Sequence, residues 1–260
     1  MYWPMELFSA EKSVHLDWTL STCCERGQWI TSGIVLAWLA VAVLLWHCEI
    51  WGYNVLLPMK MLTVFFHEFG HATAAWLTCG RVHGIEVHTN EGGVTKTTGG
   101  ARGIILPAGY LGSCLWGMFF LLMASINIWT LRVGAGILCF SMLIVLLFFA
   151  RNWALRVVCL FFVALVIGMW VWTEMEQIVW PLRVVLLGIG VMNGVYSLWD
   201  IWDDTIRRKV SESDAYKCAD LTHCSSRLCG VLWATFALAF MATSIYLLFV
   251  VKEVGDDRFE

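Results

Sequence analysis

Long apolar stretches alternate with short polar connections along the whole chain. A helix needs about 20 predominantly apolar residues to cross the hydrocarbon core of a bilayer. Seven stretches come close to or exceed that length: 30–50, 55–78, 104–127, 133–150, 154–173, 182–206 and 228–250. The fourth is short, and the boundary between the fourth and the fifth could be drawn differently. The pattern therefore predicts an all-α polytopic membrane protein with about seven transmembrane helices, within a range of six to eight.

Two of the polar connections are long enough to form structure of their own. Residues 80–103 are rich in Gly, Thr and Val, which favours short strands, and an Asn-Glu-Gly-Gly turn signal lies at 90–93. We expect a small β-hairpin here, after the second helix, with strands at 81–89 and 93–98. The connection at 207–227 is charged and shows no clear periodicity, so it is interpreted as a loop.

Composition supports lipid as the solvent of this chain. Hydrophobic residues make up 59% of the sequence and charged residues 14%, whereas soluble domains contain about 25% charged residues. The net charge of -3 leaves no basic surplus for nucleic acid. We interpret 30–250 as a single transmembrane domain, preceded by a polar segment at 1–29 and followed by a polar tail at 251–260.

The distribution of basic residues predicts the orientation in the membrane. With seven spans, twelve of the 17 Lys and Arg residues lie on the same side as the N-terminus. Because Lys and Arg are enriched in cytoplasmic connections, we expect a multi-pass protein with a cytosolic N-terminus.

The second span contains an H-E-x-x-H pattern, formed by His67, Glu68 and His71. Residues four apart on a helix project from one face, so the two imidazoles could share one tetrahedral zinc ion. Glu68 could then accept a proton from a zinc-activated water, as the general base. Ionisable groups inside a span cost several kcal/mol unless they are paired or ligated, which favours a metal site over an accidental match.

A catalytic zinc ion takes three protein ligands and leaves one position for water. The sixth span offers Asp200, whose depth in the membrane matches that of His71, and we predict Asp200 as the third ligand. Asp203 and Asp204 are alternatives that would lie about one turn closer to water. All three carboxylates could instead cap the helix and balance the basic residues that follow it.

The chain resembles the site-2 protease family of intramembrane zinc metalloproteases, in a compact branch without an inserted PDZ domain. The resemblance rests on His67-Glu68-x-x-His71, the Gly-rich segment after it, the Pro-Ala-Gly-Tyr-Leu-Gly-Ser stretch at 107–113 and the late aspartate. The family's late motif is Asn-x-x-Pro-x-x-x-x-Asp-Gly. Here Asn193 precedes Asp200 at a spacing one residue shorter, and the proline and the final glycine are missing.

This resemblance implies zinc-dependent hydrolysis of a peptide bond in a transmembrane protein or peptide embedded in the lipid bilayer. Asn193 is a candidate oxyanion or substrate contact, because a buried amide can donate to the charge that develops on the attacked carbonyl. It could equally form an interhelical hydrogen bond. Two other functions remain open: a non-catalytic zinc-binding pseudoprotease or scaffold, which the altered late motif favours, and a metal transporter.

Overall fold

The fold is built almost entirely from helices, as the apolar pattern predicts. A computed structural model describes residues 14–21, 23–51, 53–207 and 213–253. The helices are α1 (Arg26–Leu45), α2 (Leu57–Leu77), α3 (Arg102–Ile105), α4 (Ala108–Ile126), α5 (Ile128–Ile144), α6 (Trp153–Glu176), α7 (Trp180–Trp202), α8 (Asp214–Thr222) and α9 (Ser226–Val250). The strands are β1 (Val14–Leu16), β2 (Glu49–Ile50), β3 (Tyr53–Asn54), β4 (Arg81–Val87), β5 (Gly93–Thr98) and β6 (Val251–Glu253).

Six helical segments in the described part of the chain are long and apolar enough to cross a membrane. They are Arg26–Leu45, Ala108–Ile126, Ile128–Phe149, Trp153–Glu176, Trp180–Arg207 and Ser226–Val250. The third and fifth of these continue α5 and α7 by one π-helical turn each. Helix α2 has 21 residues and is therefore also of spanning length, although its polar residues make it less apolar. The predicted polytopic, all-α class is confirmed, and the count lies within the predicted range.

Helix α2 lies at the centre of the bundle. Nearly every side chain from Lys60 to Ala75 is buried, and the helix packs against α4, α7 and both strands of the β4–β5 hairpin. By contrast, α1 and α9 keep most of their apolar surface exposed, as lipid-facing helices do. The polar helix is central because its ionisable groups would be costly against hydrocarbon.

Glycines allow the helices around the centre to approach one another closely. A Cβ on Gly70 of α2 would collide with the carbonyl oxygen of Ala108, and one on Gly112 of α4 would lie 2.9 Å from the Gly70 Cα. Between α4 and α7, a Cβ on Gly117 would lie 2.8 Å from the carbonyl oxygen of Gly190. Small residues serve this purpose in membrane proteins, where packing rather than water exclusion holds helices together.

The expected hairpin after the second helix is confirmed, and one of its edges is occupied. Strands β4 and β5 pair antiparallel, with Ile85 opposite Thr95. The outer edge of β4 contacts the connection before α6. The backbone N–H of Arg151 donates to the Ile85 carbonyl at 3.0 Å, and the side-chain amide of Asn152 donates to the Val87 carbonyl at 2.5 Å. The outer edge of β5 instead faces a cavity.

The prediction that 207–227 is an irregular loop is wrong for its central part. Residues 214–222 form helix α8, which ends at His223 in a left-handed conformation. Ala215 and Cys218 lie on one side of α8 and pack against a cluster that includes Cys229 and Trp233 of α9. Ala215 and Cys218 are the residues of α8 that pack in this cluster, and two positions are too few for periodicity to predict a helix.

The first and last described strands form a small sheet, since β1 pairs with β6. Parts of the predicted polar segment 1–29 and of the predicted tail 251–260 lie outside the described residues. The division into these segments and a domain at 30–250 stays a prediction, as does the cytosolic location of the N-terminus.

Replacing Gly117 by alanine should force α4 and α7 apart, because its Cβ would meet backbone atoms of α7 at 2.8–3.1 Å. Overpacking of this kind costs about 1–3 kcal/mol. We expect a lower midpoint of thermal unfolding for the detergent-purified G117A protein. The matched control is G168A on α6, where nothing lies within 4 Å of the added carbon. An unfolding midpoint no lower for G117A than for G168A would contradict this account of the helix crossing.

Candidate metal centre

Helix α2 presents both histidines of the H-E-x-x-H pattern on one face. The ring centroids of His67 and His71 are 4.8 Å apart, as one helical turn between them requires. Both side chains are largely buried, and both Nε2 atoms point towards the same carboxylate. Their convergence follows from the local sequence alone, because the helix fixes their relative position.

That carboxylate belongs to Asp214, at the start of α8. Its Oδ2 atom lies 3.0 Å from Nε2 of His67 and 2.9 Å from Nε2 of His71. These three donors lie within 4.8 Å of one another and could hold a metal ion. The sequence does not predict Asp214 as a ligand, because residues 207–227 show no clear periodicity and are interpreted as a loop. The sequence offers one signal for it: Asp214 is acidic, and the predicted topology places it on the same side of the membrane as the end of the second span.

The charge of Asp214 is favoured by its surroundings. Burial opposes ionisation of the carboxyl, but the imidazoles of His71 and His67 outweigh burial and hold the pKa of Asp214 below its usual range. An ionised carboxylate is the form that coordinates a metal cation.

A backbone carbonyl orients the second histidine. Nδ1 of His71 lies 2.7 Å from the carbonyl oxygen of Ile105, and only an N–H can bond to a carbonyl. Nδ1 therefore carries a proton, so Nε2 is the atom that would release its proton and offer a lone pair to a metal on the side of Asp214. Gly109 of α4 makes room for this arrangement, because a Cβ there would lie 2.6 Å from Nε2 of His71 and would collide with His67.

Asp200, the predicted third ligand, contacts the opposite side of the His67 ring. Its Oδ2 lies 3.4 Å from Nδ1 of His67, whereas Asp214 faces Nε2. Nδ1 of His67 is buried and has no hydrogen-bond partner among the described residues. A small shift would let Nδ1–H donate to Asp200, in the way that carboxylates orient metal-binding histidines.

The other three predicted residues are not part of the group of converging donors. Asp203 pairs with Arg207 at 3.2 Å, and Asp204 accepts a hydrogen bond from the Tyr110 hydroxyl at 2.6 Å. The amide of Asn193 donates to the Ile189 carbonyl of its own helix at 2.8 Å. Asn193 is fully buried at the α4–α7 crossing, and it does not line the cavity beside the histidines.

Glu68 lies beside the histidines but outside the group of converging donors. Its Oε2 accepts a hydrogen bond from the Thr95 hydroxyl of β5 at 2.6 Å. Gly93, two residues earlier on the strand, fits tightly against the side chain, since a Cβ there would lie 2.6 Å from Cγ of Glu68. The Glu68 carboxylate is therefore not one of the three groups that could hold a metal ion, and it lies beside them with Thr95 as its hydrogen-bond donor.

One large cavity of about 1080 Å³ is lined by His67, Glu68, His71, Asp200, Asp204 and Asp214. Its walls come from α2, the β5 strand and the turn before it, α3, α7 and α8. The cavity contains both histidines, Glu68 and Asp214, and β5 lines one side along most of its length. A space of this size could hold several residues of an extended peptide.

The donor set fits a zinc ion. Two imidazole nitrogens and one carboxylate oxygen are a known ligand combination of catalytic zinc, which leaves its remaining position to water or substrate. Here all three donors are largely buried, and the open side of the group is the cavity.

Comparison with known proteins identifies the family of this chain. The model of the Peptidase M50B-like family matches residues 35–244, which include the histidine pair, the hairpin and α8. No curated protein and no solved structure matches the chain. Since the family match covers most of the sequence, the chain belongs to the Peptidase M50B-like family and thereby to the site-2 proteases, a family of membrane metallopeptidases.

Proposed function

We propose that this protein is an intramembrane zinc endopeptidase that hydrolyses a peptide bond of a membrane-spanning substrate. The observation that supports this most directly is the convergence of His67, His71 and Asp214 at the wall of a large cavity, with Glu68 beside them. A structural metal site is closed by its protein ligands, whereas a catalytic one keeps an open position. Membership in a peptidase family points the same way.

We propose His67, His71 and Asp214 as the three ligands. Asp214 is preferred to Asp200 because it alone approaches both histidines at their Nε2 atoms. Asp200 contacts only His67, at the other ring nitrogen. Its role would be to orient His67 and to stabilise the N–H that points away from the metal.

The chemistry divides between the metal and the residues around it. A zinc ion held there supplies acidification of water and polarisation of the scissile carbonyl. Glu68 accepts the proton of the attacking water and returns it to the leaving amine. His71 is kept in the metal-binding tautomer by its bond to Ile105, and the surrounding helices exclude lipid from the site.

The substrate would bind as an extended segment. A transmembrane helix must unwind before its backbone can be attacked, and the freed N–H and C=O groups then need partners. The outer edge of β5 could supply them by strand addition, and it lies along the same cavity as Glu68.

One feature argues against each of the two rival functions. A scaffold or pseudoprotease has no use for a carboxylate such as Glu68, which projects into the cavity without joining the donor group. A metal transporter would need polar residues along a path across the bilayer. The described residues contain one group of converging ligands rather than several groups along such a path.

Zinc content should depend on Asp214. We expect about one zinc ion per chain for the detergent-purified wild type and a near-complete loss for D214A, because two imidazoles alone bind zinc weakly. Metal analysis by mass spectrometry measures this directly. The matched control is D220A, on the same helix and at the same cavity, which should keep its zinc.

The aspartates of α7 make the ligand assignment falsifiable. D203A and D204A should keep zinc, while D200A should bind it about 10- to 100-fold more weakly, as loss of an orienting carboxylate does. Complete loss of zinc in D200A together with full retention in D214A would return the third position to Asp200. A wild type without zinc would refute the metal site itself.

Cleavage should depend on Glu68 without a loss of metal. For E68Q we expect normal zinc content and a rate at least ~100-fold lower, since general base catalysis is removed. The assay uses a fluorescent peptide with one apolar span of about 20 residues, interrupted by Asn-Gly to weaken its helix. The control E86Q alters a hairpin carboxylate outside the cavity, and it should cleave at the wild-type rate. Equal activity of E68Q and E86Q would rule out Glu68 as the base.

A further inference from the structure

We propose that Thr95 is a positioning residue that holds Glu68 beside the free edge of β5, so that one strand both orients the base and receives the substrate. This inference rests on the proposed peptidase function. Its starting point is a contact between two elements that are far apart in sequence: the hydroxyl of Thr95 donates to Oε2 of Glu68 at 2.6 Å.

The contact fixes the carboxylate on two sides. The Thr95 hydroxyl also lies 2.9 Å from the backbone carbonyl oxygen of Glu68, so it bridges the side chain and the helix that carries it. On the other side, Gly93 leaves no free space, because an added Cβ would lie 2.8 Å from the carboxyl carbon of Glu68. Glu68 therefore takes its orientation from β5 rather than from α2.

The strand is a firm support because it is held at its middle and near its tip. Thr95 pairs with Ile85, which is fully buried and is itself bridged to Ala150. At the turn before β5, Glu91 forms an ion pair of 2.9 Å with Lys60, a side chain that is almost completely buried on α2. Because β5 is held both through Ile85 and through the Glu91–Lys60 ion pair, the Thr95 hydroxyl cannot move far relative to the histidines.

This geometry also predicts which part of a bound peptide is cut. A strand added to the outer edge of β5 would run alongside residues 93–98 at a spacing of about 4.8 Å. Glu68 contacts β5 itself at Gly93 and Thr95. The scissile bond would therefore lie level with these two residues, near the turn rather than near Thr98.

Thr97 provides a matched comparison. It lies two residues further along β5, on the same face, and it lines the same cavity. Among the described contacts, the hydroxyl bond to Glu68 comes from Thr95 alone. Substituting either threonine with valine removes one hydroxyl at nearly constant volume, so only the loss of the bond to Glu68 distinguishes the two variants.

The kinetic experiment compares T95V, T95S and T97V on the fluorescent single-span peptide. We expect T95V to lower kcat about 10- to 100-fold, the effect of a misplaced catalytic group, with KM and zinc content close to wild type. T95S keeps the hydroxyl and should restore most of kcat. T97V, on the strand that receives the substrate, can change KM but should leave kcat near the wild-type value. A rise in KM with unchanged kcat, or equal effects of T95V and T97V, would show that Thr95 only supports the hairpin and would overturn the proposal.

A second measurement needs no substrate and no metal. Thermal unfolding of the metal-free protein is compared for T95V in the wild-type and E68A backgrounds, with T97V in the same two backgrounds as control. Because T95V leaves a buried carboxylate without its donor only when Glu68 is present, its effect on the unfolding midpoint should be larger in the wild type. Equal effects in both backgrounds would exclude the coupling. If the coupling is measured but no peptide is cut and no zinc is bound, the peptidase function fails while the Thr95–Glu68 contact stands.

Discussion

The cost of placing ionisable groups inside a membrane governs the arrangement of this protein. Helix α2 carries Lys60, His67, Glu68 and His71, and none of them could face hydrocarbon without a penalty of several kcal/mol. The helix is consequently enclosed by α4, α7 and the β4–β5 hairpin. The close helix crossings at glycines serve the same need. Tight backbone contact leaves no gap through which lipid could reach the polar groups of α2.

The hairpin solves a related problem, that of bringing irregular backbone to the depth of the site. Unpaired N–H and C=O groups are tolerated there only against protein or a water-filled cavity. The outer edge of β4 is accordingly covered by Arg151 and Asn152, while the edge of β5 faces the cavity. The one edge left open is thus the one at which an extended peptide could bind beside the histidines.

Two carboxylates approach His67 from opposite sides, and this division gives each a distinct role. Asp214 faces Nε2, where it also meets His71, whereas Asp200 faces Nδ1. One carboxylate can complete a metal site while the other holds the ring in place. Separate elements, α8 and α7, bring them there, so the geometry of the centre depends on how each of these helices packs in the bundle.

The sequence by itself determined the membrane class, most of the helices, the hairpin and the pair His67 and His71, because hydropathy, turn residues and helical spacing are local properties. It also placed Asp200 next to the site by depth. Tertiary structure alone decided that Asp214 approaches both histidines and that Thr95 holds Glu68. Both contacts join residues distant along the chain, and no local pattern records how a helix or a strand packs against α2. The proposed third ligand therefore depends on the fold, whereas the first two depend only on the helix that carries them.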